Sequence, residues 1–197
     1  MQQFKSKDYV TILLVITNIA VYIFCTIQGN VLYNMGSLSV VDIINRQEYY
    51  RILTSLFLHA NPQHIWGNMI FLAALGDMLE KSIGHGRFFA IYMLAGIGGN
   101  LLSMGHELAT GQFCSTIGAS GAVFVLICAL LLLICKNNGT YGQISFRRMI
   151  FAIVYLFYSG TQSETTNNMA HLGGFITGFA VMAVFYCITR RRYKRIR

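Results

Sequence analysis

The sequence predicts an all-α membrane protein, a bundle of six transmembrane helices with both termini on the cytoplasmic side. Three observations carry this. Of the 197 residues, 55% are hydrophobic and only 11% charged, with a single proline, whereas a soluble domain carries roughly a quarter of its residues as Asp, Glu, Lys and Arg. Apolar runs recur at roughly 9–27, 65–79, 88–104, 117–135, 149–159 and 169–189. Once six spans are threaded, all of the 15 Lys and Arg except Arg46 and Arg51 fall on one side, and basic residues stay on the cytoplasmic side.

A helix crossing a hydrocarbon core needs about 20 residues. Three of the runs qualify outright, and the others are shorter or carry Gly, Asn and Asp. The first run follows Lys5 and Lys7 as a signal peptide would. It is too long for an apolar signal core and no small-residue cleavage site follows, so it reads as the first span. The connection over about 28–62 contains "NRQEYYRILTSLFLHANPQH", with enough tyrosine, leucine and phenylalanine to lie in the outer interface. The run at 65–79 ends at Glu80 and Lys81, the short second outer loop covers about 105–116, and the next run opens on "GASG". The fifth run is the shortest; with "GTQSETTNN" at 160–168 it is expected to form a mobile gate or lid.

The sixth run ends in "RRRYKRIR". Such a tail suits anionic lipid headgroups, at about 1 kcal/mol for each basic residue near the surface, and accounts for much of the net charge of +8 without nucleic-acid binding. Residues 1–197 form one transmembrane domain, with no repeat and no soluble domain, which favours a multi-pass protein of the bacterial plasma membrane. The five cysteines include no CxxC pair and read as small buried hydrophobes, with Cys114 on the outer side lacking a partner. No His, Cys and carboxylate group has metal-ligand spacing, and no cofactor is expected.

Strongly polar side chains inside a bilayer are costly and mark function. His64 and Asn68 in "HIWGNM", Ser120 in "GASG" and His171 in "AHLGGFITG" fall within the predicted spans or at their outer ends. At about 1.5 Å rise per residue, Ser120 stands roughly 24 Å above Lys136, His171 roughly 28 Å above Arg190, His64 roughly 25 Å and Asn68 roughly 20 Å above Lys81. Against a core of about 30 Å, all four share one layer of the outer half of the membrane.

That layer holds a nucleophile and a base. A serine becomes nucleophilic when a base takes its proton, and histidine titrates near neutrality, so Ser120 and His171 form the expected pair. Gly118 and Ala122, with Gly174 and Gly178, make small-xxx-small faces that let two helices approach. Gly118 and Gly121 let the chain turn sharply at a helix start, where unpaired N–H groups face a developing oxyanion. His64 and Asn68, at i and i+4, share a helix face and donate to the same oxygen. No Asp or Glu is expected in the layer, which makes a dyad rather than a triad.

"GASGAVF", "HIWGNM" and "AHLGGFITG", on six spans with a long first outer loop, closely resemble the rhomboid family of intramembrane serine proteases over nearly the whole chain. The resemblance implies Ser120 as nucleophile, His171 as base, and His64 and Asn68 as the oxyanion pair. Glu80 and Gly84 resemble the family's ExxxG element, Gly174 and Gly178 its sixth-span glycines, His59 a histidine closing the first outer loop, and Arg51 the arginine of a Trp-Arg pair. Two positions depart: Tyr50 stands where the family often has tryptophan, and Phe124 where some members have tyrosine.

The expected function is a serine endopeptidase that cleaves transmembrane segments of membrane proteins in or near the outer leaflet. A non-catalytic rhomboid-like protein that binds transmembrane clients is the alternative, although such a relative is expected to lack the serine or the histidine. A small transporter is expected to show inverted repeats and midplane charges, and neither is visible. Partners are transmembrane substrates and the lipid bilayer, with no nucleic acid.

Overall fold

The computed structural model describes residues 8–136, 140–141, 144–161 and 167–195. The chain runs α1 (Tyr9–Gln28), α2 (Asn30–Gly36), α3 (Val40–Arg46), α4 (Arg51–Thr54) and a 3-10 turn (Ser55–Phe57). It continues through α5 (Pro62–Ile83), α6 (His85–Thr110), α7 (Ser120–Lys136), a two-stranded antiparallel hairpin of β1 (Thr140–Tyr141) and β2 (Ile144–Ser145), α8 (Phe146–Thr161) and α9 (Asn168–Arg195). The longer helices α1 and α5 to α9 correspond to the six apolar runs, α7 starting at Ser120, three residues inside the fourth. Two of them, α1 and α6, are long and apolar enough to cross a membrane by themselves.

Local sequence sets the boundaries. α5 starts at Pro62, which has no N–H to lose, behind Asn61, whose side chain accepts from His64 N at 2.8 Å,. Gly84 (φ 88°) turns the chain from α5 into α6, and Gly111 (φ 71°) ends α6 in the left-handed conformation,.

The packing is arranged around α7, which contacts α5, α6, α8 and α9 and buries Ala122 to Leu130 almost completely. α7 is apolar on every side because every side faces another helix. α1 differs: Leu14, Asn18 and Cys25 are buried while Leu13, Ile16, Ile23 and Ile27 are exposed. α6 and α9 likewise expose Leu94, Leu101, Ile176 and Phe179. Polar side chains including Asn18, Asn68, Asn100, Glu80 and Glu107 are buried instead.

The first outer connection is ordered around Arg51. Its guanidinium, 3% exposed, bonds Glu48 at 2.6 Å, reaches Asp42 at 3.6 Å and donates to the carbonyls of Asn34 (2.8 Å) and Ser37 (3.0 Å). One cation thus collects the carbonyls at the end of α2 and the acids of and after α3. Tyr50 lies beside it, with the guanidinium carbon 5.8 Å from the ring centre. Tyr33 Oη donates to His59 O at 2.8 Å. The connection is tied to the segment before α7 by two backbone bonds between Leu38 and Thr116 and by Ser115 donating to Ser37.

At the other end of the bundle Glu80 is fully buried and accepts from Val10 N (2.9 Å), Thr11 N (2.8 Å) and Thr11 Oγ1 (2.6 Å), while His85 Nδ1 lies 2.5 Å away. These bonds hold the start of α1 to α5, so Glu80 is structural. His85 and His106 belong to α6, and His85 faces Glu80 because α6 begins directly after Gly84. Asp77 pairs with Lys81. The lid expected at 160–168 lies largely outside the described residues.

Candidate active site

Ser120 is the first residue of α7, so its N–H and those following it have no partner within the helix. The first helical bond runs from Val123 N to Ala119 O. Gly118, two residues earlier, has φ 128°, a conformation that other residues rarely adopt. A Cβ there would lie 2.7 Å from His64 Nε2 and 3.7 Å from Ser120 Oγ. The missing side chain therefore opens the space between the imidazole of α5 and the hydroxyl of α7. Gly118 N donates to Ser55 O at 2.9 Å, and Ser55 Oγ accepts from Asn100 Nδ2 at 2.9 Å. α6 thereby supports the turn that presents Ser120.

His64 receives a long contact from Ala60 N–H on Nδ1 (3.5 Å), which favours the proton on Nε2, the nitrogen facing Gly118. The His59 ring meets the His64 ring edge-on, 5.1 Å between centres. His171, in the first turn of α9, is 7% exposed. Its ring stacks on Phe124, with centroids 4.6 Å apart and planes at 27°. Its Nδ1 is buried without a hydrogen-bond partner.

Ser120, His171 and His64 line one small cleft with Gly118, Asn100 and Asn167. Its free volume, about 10 Å³, is on the scale of a single water. Among the described residues no hydrogen bond joins Ser120 Oγ to His171. Asn68 does not line the cleft: it sits one turn further along α5, 7% exposed, with Nδ2 buried and unpartnered. Among the described residues, no group of His, Cys, Asp and Glu could hold a metal.

Glycine contacts bring the helices together, but not all of them on the expected faces. A Cβ on Gly174 would strike Gly121 O and lie 2.7 Å from Gly121 C; one on Gly178 would strike Val125; one on Gly99 would lie 2.7 Å from Ala170 O. The α7 face meeting α9 is thus Gly121 and Val125, not Gly118 and Ala122, because Gly118 precedes the helix and Ala122 turns towards Gly96 on α6. Glycines of α6, unassigned in the sequence reading, complete a three-helix junction just below the cleft; "GIGGN" was their signal.

An acid also lies nearer the layer than expected. Glu107, 2% exposed, accepts from Ser103 Oγ (3.3 Å), Cys114 N (3.3 Å) and Cys114 Sγ (3.4 Å). It does not bond His171, whose Nδ1 stays unpartnered. Burial, with Glu107 nearby, holds the Cys114 thiol above its ordinary value. Cys114 is unpaired, as are Cys25, Cys128 and Cys135.

A half-buried serine and two histidines are thus brought from α5, α7 and α9 to one cleft of a helical bundle. A family model described as Rhomboid domain matches residues 46–187. RHOMBOID-like protein 1 of Arabidopsis thaliana is 35% identical over 156 residues, 78% of this chain and 39% of that protein. RHOMBOID-like protein 2 of the same plant is 31% identical over 168 residues, 84% of this chain and 51% of that protein. Rhomboid protease GluP of Bacillus subtilis (strain 168) is 32% identical over 142 residues, 72% of this chain and 27% of that protein. The chain belongs to the rhomboid family, whose members are integral membrane proteins. It spans about half or less of the length of these three relatives.

Proposed function

We propose that the protein is an intramembrane serine endopeptidase with Ser120 as nucleophile and His171 as base. The reading rests chiefly on the convergence of Ser120, His171 and His64 from three helices on one cleft. Family membership and the similarity to a relative named as a rhomboid protease support it. The apolar outward faces of α1, α6 and α9 support six membrane spans, since so much exposed hydrocarbon suits lipid rather than water. The distribution of basic residues supports cytoplasmic termini, and with that orientation the cleft belongs to the outer half of a cell membrane, a bacterial plasma membrane being the expected site.

In this mechanism Ser120 Oγ attacks the carbonyl carbon of a substrate transmembrane segment while its proton passes to the His171 imidazole. The carbonyl π pair moves onto oxygen, and the oxyanion is held by the Ser120 N–H and His64 Nε2–H; Asn68 Nδ2, one turn beyond the cleft lining and without a buried partner, joins them only when bound substrate opens the cleft along α5. The intermediate collapses, the C–N bond breaks and the leaving amine takes the proton from His171. Water, deprotonated by His171, then hydrolyses the acyl-enzyme. The dyad fits a histidine whose Nδ1 has no carboxylate behind it. The scissile segment must leave its helical hydrogen bonds to reach Ser120, so substrates with helix-breaking residues are expected.

The test is fluorophosphonate labelling and cleavage of a reporter transmembrane substrate by protein purified in detergent. Wild type should label and cleave, Ser120→Ala should do neither, and His171→Ala should lose cleavage. Wild type that neither labels nor cleaves would refute the proposal and favour a client-binding role.

A further inference from the structure

Asn167, immediately before α9, uses its whole side-chain amide. Oδ1 accepts from Met169 N and Ala170 N, each at 3.0 Å, and Nδ2 donates to Ser103 Oγ and Thr116 Oγ1, each at 2.6 Å. Its carbonyl accepts from His171 N at 3.2 Å. An N-cap needs only an oxygen, which Ser, Thr or Asp also supplies. The two donors are what asparagine adds here, and they are aimed at α6 and at the segment leading into α7.

Both acceptors are themselves fixed. Ser103 spends its proton on Glu107, and Thr116 exchanges two backbone bonds with Leu38. Asn167 precedes His171 by four residues and Thr116 precedes Ser120 by four. The Asn167–Thr116 bond therefore spans the two chain segments that deliver the base and the nucleophile, at equal distance upstream of each.

We propose that Asn167 is a positioning residue whose amide, through Thr116, sets the approach of His171 to Ser120. The inference rests on the assignment of those two residues as base and nucleophile. A displacement of about 1 Å costs on the order of 100-fold in rate, so a bond that fixes the spacing of the two segments governs turnover through the geometry of the pair.

Two variants isolate the bond in the full-length protein. Thr116→Val removes the acceptor and leaves the cap of α9 intact; Asn167→Ser keeps a cap oxygen and removes the amide donors. Each should lower kcat by about 10-fold to 100-fold, with KM little changed and the melting temperature close to wild type. Thr116→Ser should restore most of the rate, and combining Thr116→Val with Asn167→Ser should add little. A second readout does not depend on turnover: modification of His171 by diethyl pyrocarbonate, measured by mass spectrometry against exposed His106, should rise several-fold in both variants. Unchanged kcat in active protein, or unchanged His171 protection, would overturn the inference. If wild type proves inactive while His171 protection still responds, the proteolytic reading fails and the positioning contact stands.

Discussion

Phe124 and His171 lie with their rings stacked, 4.6 Å between centroids and 27° between planes, although 47 positions separate them in the chain. The ring that fixes the imidazole stands one helical turn after Ser120, so α7 supplies both the hydroxyl and the surface on which the His171 ring rests. An aromatic pair is worth about 0.5–1.5 kcal/mol beyond its burial, which corresponds to roughly a 2-fold to 13-fold effect on rate. Phe124→Leu should therefore lower kcat within about that range, while Phe124→Tyr, which keeps the ring, should stay near wild type. Steady-state cleavage of the reporter substrate measures both.

Gly118 offers a sharper test of the oxyanion assignment. Alanine there must adopt φ 128°, and its methyl would press on His64 Nε2 at 2.7 Å. The imidazole must turn away from the position that the proposed mechanism gives to the oxyanion. Losing one such donor costs about 100-fold to 1000-fold in kcat. Gly118→Ala should show a loss of this size, measured in parallel with circular dichroism to confirm that the helices persist.

The sequence carried the fold because lipid and protein interior leave different marks on a chain. Six apolar runs matched six long helices, and "GASG", "HIWGNM" and "AHLGGF" lay at the helix ends where Ser120, His64 and His171 meet. What it could not show were contacts made between distant polar residues of ordinary local pattern. Asn100, Ser103 and Glu107 recur at helical spacing on α6, but nothing in the chain directs that face toward Thr116 and Asn167, and only tertiary folding brings the five residues together at the cleft. The same limit explains the small-residue faces: a four-residue spacing pairs Gly118 with Ala122 only if both are helical, and Gly118 is not.

The three-helix junction predicts where alanine cannot be tolerated. Gly174→Ala would drive a methyl into the Gly121 carbonyl and Cα, the latter at 2.9 Å, and both are backbone atoms that cannot rotate aside. Overpacking costs about 1–3 kcal/mol, occasionally more, so this variant should melt earlier in detergent and lose cleavage because α7 and α9 separate. Gly105 on α6 has nothing within 4 Å of its Cβ position, and alanine gains about 1 kcal/mol in helix propensity. Gly105→Ala should match or exceed the wild-type melting temperature.

His59 predicts a pH dependence. It is fully buried, both ring nitrogens lack hydrogen-bond partners, and it meets the His64 ring edge-on. Burial, reinforced by His64, lowers its value from 6.5 to about 3. The folded protein keeps this ring neutral where the unfolded chain would protonate it. Stability from the neutral ring is therefore fully present above pH 6.5 and drains away as pH falls toward about 3, because the unfolded state then binds the extra proton. The slope for one such group approaches about 1.4 kcal/mol per pH unit inside that window. Melting temperatures between pH 4 and 7 should fall with acidification in the wild type, and His59→Gln, which cannot titrate, should flatten that fall. An equal acid slope in both proteins would show that His59 contributes nothing to it.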